Sequence, residues 1–278
     1  MKRNLFVRFP GGRGKALTFS YDDGCLSDRR FVALLDRYNL KGTFNLNSDC
    51  FRKEGEIKNR RMTEAETLEL FKNGPHEVAV HAATHPFLDT LPPATVTLEI
   101  IEDRRNLERL FGRVVRGSAY PFGTQVATDR VRNILPNCGI VYARTTESTG
   151  TFDLPRDWLR WPATCKHTDP RLMGLARDFI GKEVGNRAQL FYLWGHTFEF
   201  DDQDNWNVIE EFTAFVAGHE DAVWYATNIE IYDYLQAFER LECAADMSIV
   251  HNPSAQTVWF KFDGRDFSVG QGETITTV

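Results

Sequence analysis

The stretch KALTFSYDDG, Lys15–Gly24, decides how the chain folds: a run of strand-forming residues ends in two adjacent carboxylates and a glycine. Strict strand alternation would send Asp22 and Asp23 to opposite faces. Both serve one site only if the strand ends near Tyr21 and Gly24 allows a sharp turn; otherwise the triplet is a solvated turn. The segment that follows places Phe31, Leu34, Leu35 and Tyr38 on one helical face, so the first unit is a strand followed by an amphipathic helix.

The same alternation continues outward. GTFNLNS reads as a second strand. Thr63 and Glu66 have capping-box spacing at the start of a helix that Gly74 and Pro75 stop. HEVAVH is a third strand, and a long helix from about Pro93 to Phe111 ends at Gly112. RVVRGSAYPFG, GIVYART, LRWPATC, AQLFYLWGH and DAVWYATNIE follow as strands four to eight, with apolar helical faces between them. Strands alternating with helices predict an α/β fold, a distorted (β/α) barrel of seven or eight parallel strands, with a doubly wound open sheet as the alternative. From about Ala244 the period drops to two, in MSIVHN, TVWFKF and DFSV, with a turn at Asp263-Gly264. The expected division is a barrel over 1–243 and a small C-terminal β appendage over 244–278.

The 278 residues carry 42% hydrophobic and 26% charged side chains, the balance of a globular enzyme rather than a disordered or fibrous chain. Lys plus Arg number 33 against 39 for Asp plus Glu, a net charge of -6, so the basic footprint that nucleic acid demands is missing. No apolar run approaches the roughly 18 residues of a membrane span, and the opening MKRNLFVRFPGGRGK does not read as an export signal. Five scattered cysteines (25, 50, 138, 165 and 243) without a C-x-x-C pair argue against a disulfide framework or a thiolate zinc site. The expected compartment is the reducing cytoplasm.

The chemistry-bearing residues each follow a strand: Asp22 and Asp23, His81 and His85, Tyr120 to Gly123, and His196. In a barrel those strand ends share one rim. His81 and His85, four apart in HAATHP, have a spacing that lets two imidazoles reach one cation, though such pairs are as often structural, and Ala82 replaces the glutamate of the H-E-x-x-H pattern. An aspartate from the first strand supplies the third, anionic ligand of a catalytic divalent site, and its neighbour can accept a proton from water. His196, between an apolar strand and a polar loop, is placed to donate a proton to a leaving group. His76, His167, His219 and His251 are read as structural, and Asp201, Asp202 and Asp204 as a solvated acidic loop. Tyr120, Trp161, Trp194 and Trp206 are either a sugar-stacking wall or ordinary packing.

Taken in order, SYDDG, HAATHP, AYPFG and LWGH resemble the successive motifs of the polysaccharide deacetylases of carbohydrate esterase family four, over about residues 16 to 200. The resemblance implies a distorted (β/α) barrel that removes N-acetyl or O-acetyl groups from a saccharide or small sugar conjugate with one divalent metal: zinc, or alternatively cobalt, nickel, manganese or iron. By position it implies Asp22 as general base, Asp23, His81 and His85 as metal ligands, His196 as general acid and the backbone N–H of Phe122 as oxyanion donor. Tyr120 and Trp161 are the candidate substrate-binding residues. Ala119 stands where many members carry an arginine that orients the base, which leaves Arg116, Arg156 and Arg160 as candidates. The family's Asp-Trp motif is matched only loosely, by Asp153 or Asp157 before Trp158, or by Trp161. Leu193 and His196 are separated by one residue more than usual. Two other functions remain: a metal-free glycoside hydrolase pairing Asp22 or Asp23 with Glu199 or Glu230, and a non-catalytic carbohydrate-binding relative.

Overall fold

The computed structural model describes residues 5–53, 55–56 and 59–277. All eight strands read from the sequence form. A short strand β1 (Phe6–Arg8) precedes β2 (Lys15–Asp22), β3 (Gly42–Leu46), β4 (Glu77–Val80), β5 (Gly117–Ala119), β6 (Tyr142–Ser148), β7 (Trp161–Ala163), β8 (Cys165–Lys166), β9 (Gln189–Gly195) and β10 (Val223–Tyr225). Helices α1 (Asp28–Arg37), α2 (Glu64–Phe71), α3 (Pro93–Phe111), α4 (Asp129–Arg132), α5 (Leu172–Gly181), α6 (Phe198–Asp202), α7 (Trp206–Val216) and α8 (Asn228–Glu239) lie between and after them. The capping box of Thr63 and Glu66 starts α2 as read, and Gly112, left-handed at φ 63°, ends α3.

The strands are parallel neighbours in the order β7-β6-β5-β4-β3-β2-β9-β8. Only Thr164 separates β7 from β8, and β7 pairs with β6 while β8 pairs with β9. The single stretch 161–166 therefore joins the two ends of the sheet, giving a distorted barrel. The eighth expected strand is not one of its staves: β10 pairs only with Lys15 to Leu17 of β2, because the upper half of that edge, Phe19 to Asp22, is already taken by β3.

Alternation on each strand sorts the core into two layers. Leu17, Phe19 and Tyr21 of β2 and Phe191 and Leu193 of β9 face outward against Phe31, Leu35 and Phe212 of the helices. The opposite faces carry Ala16, Tyr142, Leu190, Tyr192 and Trp194 inward. That inner face is partly polar, with Thr18, Ser20, Thr43 and Asn45 fully buried. It is sealed by hydrogen bonds such as Thr18 to Asn228 (2.9 Å) and Thr43 to Glu77 (2.8 Å), as buried polar groups require.

The C-terminal β segment consists of β11 (Glu242–Cys243), β12 (Ile249–His251), β13 (Val258–Phe262), β14 (Arg265–Val269) and β15 (Thr274–Thr276). Asp263 and Gly264, both at positive φ, make the two-residue hairpin turn expected between β13 and β14. This segment is not made from the C-terminus alone. β13 pairs antiparallel with β1, and β11, which precedes residue 244, pairs with β12. The Tyr234 hydroxyl, on α8, accepts from the Trp259 N–H at 2.9 Å and donates to the Arg8 carbonyl, tying the segment to the barrel. Among the described residues no helix is long and apolar enough to cross a membrane.

Candidate active site

β2 runs to Asp22, one residue further than the sequence indicated, and the turn is made by Asp23 itself at φ 86° together with Gly24 at φ 65°. A Cβ on Gly24 would sit 2.9 Å from the Leu46 side chain, so the turn is both left-handed and closely packed. Peeling away at Asp23 lets both carboxylates serve one site: Asp22 stays on the inner face with Ser20, and Asp23 swings over the rim.

There Asp23 meets the two histidines. One ligand atom from each of Asp23, His81 and His85 lies within 4.8 Å of the others. His85 Nε2 is 3.6 Å and His81 Nε2 4.0 Å from Asp23 Oδ1. His81 Nδ1 is 2.8 Å from the Ala119 carbonyl, which can only accept, so Nδ1 carries the proton and Nε2 is left bare. Burial pushes the His81 pKa down to about 4 and lowers that of His85, so both rings are neutral at neutral pH. Two neutral imidazoles and one carboxylate, with room for further ligands, are a donor set that fits a catalytic divalent cation.

The loop holding His81 and His85 is braced from outside the motifs. Asp103, on α3, accepts from the N–H groups of His81 (2.9 Å) and Ser48 (2.7 Å). Burial pushes its carboxyl up to about 7. Asn47 donates to the Ala82 carbonyl at 2.7 Å, and Arg61 joins Asn47 (2.7 Å) to Asp23 (2.9 Å). Arg61 was not singled out by any motif.

Asp22 is buried 3.9 Å from His81 Nε2 and 3.8 Å from His196 Nε2. Burial alone would raise its pKa, but Arg144, His81 and His196 outweigh that and hold it at about 2. Arg144 Nη2 reaches both carboxylate oxygens, at 2.6 and 2.5 Å, and Asn45 donates to Oδ1 at 2.8 Å. None of the three arginines considered from sequence does this. Arg116 pairs with Asp233, Arg160 lies 3.8 Å from Glu147, and Arg156 lines a separate cavity of about 350 Å³. The replacement is geometric, since Arg144 is the cross-strand register partner of Ala119. Arg144 thus approaches Asp22 from β6, opposite Ala119 of β5.

His196 continues the inward parity of Tyr192 and Trp194. Its Nδ1 lies 3.3 Å from Glu199 Oε1, and Glu199 also lies 2.7 Å from Lys166 Nζ and 2.9 Å from His167 Nε2. Burial would lower the His196 pKa, yet Glu199 and Asp22 raise it overall, which suits a proton donor. Glu199, rather than Asp153 or Asp157, faces the His196 ring. Asp157 pairs with Arg132, and Asp153 bonds Thr151. His167, read as structural, backs Glu199 and stacks on Tyr21. Of the carboxylates a glycoside hydrolase could pair with Asp22 or Asp23, Glu230 caps α8 and pairs with Lys41, while His167, His196 and Lys166 hold Glu199 far below the usual carboxylate range.

Tyr120, Trp161, Trp194 and Trp206 are all buried. Tyr120 is 2% exposed with its hydroxyl on the Leu159 carbonyl, and Trp161 is 1% exposed against Tyr142 and Tyr192. Trp194 lies beneath the Arg144 guanidinium, and Trp206 donates to Asp201 at 2.7 Å. The acidic loop is tied down rather than simply solvated, because Asp201 also accepts from Ser27 and Asp202 pairs with Arg60. Among the described residues, the half-exposed large aromatic side chains beside His85 are Phe87 and Phe122.

At one end of the barrel the strand ends thus gather two carboxylates, three histidines and an arginine. The polysaccharide deacetylase family model matches residues 10–143, so the resemblance read from the motifs holds over that stretch, which spans the first three of them. The chain shares its fold with a Mycobacterium smegmatis protein described as a polysaccharide deacetylase, at 17% identity over 86% of this chain and 96% of that one, with TM-score 0.59. It also shares it with the Xyl-CE4 domain of a multidomain xylanase from the hindgut metagenome of Trinervitermes trinervoides, at 14% identity over 80% and 92%, with TM-score 0.51. The Streptococcus pyogenes deacetylase PplD, solved with acetate, matches at 21% identity over 46% of this chain and TM-score 0.42, and the match spans 55% of that protein's length. No curated protein matches significantly.

Proposed function

We propose that the chain is a metal-dependent deacetylase hydrolysing N-acetyl or O-acetyl groups on a saccharide or small sugar conjugate. The observation that carries this reading is the facing arrangement of Asp22, clamped by Arg144, and His196, backed by Glu199, around the cluster of Asp23, His81 and His85. Zinc suits a site of two imidazoles and one carboxylate; when bound it supplies Lewis acidity toward an acyl carbonyl and eases deprotonation of water.

The chain's own residues supply the rest. An amide is a poor electrophile with a poor leaving group, so its hydrolysis needs a base, an oxyanion donor and an acid. Asp22, ionised and fixed by Arg144 and Asn45, accepts the proton of the attacking water. The Phe122 N–H has no hydrogen-bond acceptor among the described residues and is free to donate to the developing oxyanion. His196, its pKa raised by Glu199 and Asp22, delivers a proton to the leaving amine. Acetate is then the second product.

Acetate release from N,N′-diacetylchitobiose and from an acetylated xylo-oligosaccharide tests the reading. The expected result is turnover by the zinc-loaded protein that a chelator abolishes and zinc restores. Saccharide binding without any acetate release by the loaded protein would overturn it in favour of a non-catalytic relative.

A further inference from the structure

Phe122 sits in the left-handed region at φ 60° and ψ 0°, where an L side chain is strained and where glycine or asparagine is usual. Its neighbours are held on either side, by contacts that do not involve Phe122 itself. Tyr120 is anchored by its N–H on the Arg144 carbonyl (3.1 Å), and Gly123 donates to the Tyr120 carbonyl (3.1 Å). A Cβ on Gly123 would overlap Thr146, so the turn is pressed against β6 from its far side. Pro121 has no N–H, and the N–H groups of Gly123 and Thr124 are taken, which leaves the Phe122 N–H as the donor of the turn without an acceptor among the described residues.

Two rings pack against the Phe122 side chain. Phe87 stacks on Phe122 with centroids 3.6 Å apart and planes 7° from parallel, while the edge of His85 meets Phe122 at 4.6 Å. The two phenyl groups are 46% and 41% exposed, so neither belongs to the core. Phe87 lies two residues beyond His85, and its carbonyl is held by Thr90 (2.7 and 3.0 Å), so the stack joins the loop after β4 to the turn after β5.

We propose that Phe87 is a positioning residue: its ring holds Phe122 in the left-handed conformation that directs the free N–H at the acyl carbonyl. This rests on the deacetylase reading for its catalytic consequence, but not for its conformational one. A ring serving only to stack on a sugar would need neither the coplanar contact with Phe122 nor the strained turn behind it.

The test uses Phe87→Ala, Phe87→Tyr, Phe122→Gly and the double variant Phe87→Ala/Phe122→Gly in the full chain. In wild type the Phe122 amide shows the strong intraresidue amide–Hα Overhauser effect of a positive φ, and in Phe87→Ala that signature is lost while the melting temperature is unchanged. Removing an oxyanion donor outright lowers turnover by about 10²–10³, so its misdirection in Phe87→Ala lowers kcat on N,N′-diacetylchitobiose by about tenfold with KM within about twofold. Phe87→Tyr restores both readouts. Because glycine adopts the left-handed conformation unaided, Phe87→Ala adds no further loss on top of Phe122→Gly. An unchanged Overhauser effect in Phe87→Ala, or a raised KM with normal kcat, overturns the proposal. If wild type releases no acetate, the deacetylase reading fails, and the Overhauser measurement still decides the positioning claim.

Discussion

Asp22 and Arg144 carry the largest electrostatic stake in the site. Both side chains are almost completely buried, Arg144 at 0% and Asp22 at 3% exposure, and removing one member of such a pair typically costs about 3–5 kcal/mol because the other is left uncompensated. Asp22 is held at about 2, below its ordinary 3.8, so the stability it contributes is present above its unfolded pKa and is lost as pH falls toward 2. Arg144→Ala is expected to lower the melting temperature and to reduce acetate release by about a hundredfold, the range for loss of an effective general base. Ala119 and Arg144 occupy partnered positions on adjacent strands, and Tyr142 lying over Gly117 shows that this register points the same way. Ala119→Arg combined with Arg144→Ala is therefore expected to recover part of both losses, read by thermal melting and acetate release. No recovery would mean that the guanidinium must approach from β6.

At the scale of elements, α6 brings Glu199 back one turn to face His196, and the end of β8 with the residue after it brings Lys166 and His167 to the same carboxylate. A general acid works only while protonated, so activity falls as pH rises through the His196 pKa, which Glu199 and Asp22 hold above its ordinary value. Glu199→Gln removes one of those charges. The alkaline limb of the kcat–pH profile should then shift to lower pH while the acid limb stays in place; an unmoved alkaline limb would separate Glu199 from the acid. The placing of Glu199 beside His196 and of Arg144 on Asp22 was not legible in the sequence. Glu199 lies in the run FEFDD, indistinguishable by composition from an acidic loop. Arg144 lies mid-strand in GIVYART and becomes visible only through the register of two strands. Its parity was available, however. Tyr142 and Arg144 face inward by the same two-residue alternation that takes Ser20 to Asp22 and Trp194 to His196.

Across the whole molecule, the alternation of strand and helix fixed the barrel class because each helix has an apolar face that only an outer layer can bury. What the pattern did not show was nonlocal. Ring closure depends on one stretch, 161–166, changing partners at Thr164, and the C-terminal segment depends on Phe6 pairing with Lys261 across nearly the full chain. The burial of Tyr120 and Trp161 is nonlocal for a related reason, since aromatic residues at strand ends face rim or core according to a barrel curvature that sequence does not display. The candidate cluster of Asp23, His81 and His85 was legible because its members come from the turns after β2 and β4, which the barrel brings together at one end. The most direct test of that convergence is a calorimetric titration of zinc into chelator-treated protein. Wild type and Asp22→Asn are expected to bind one equivalent, and His81→Ala to bind at least about a hundredfold more weakly, as loss of a ligand implies. Absence of binding to wild type, or equal affinity in His81→Ala, would contradict the account.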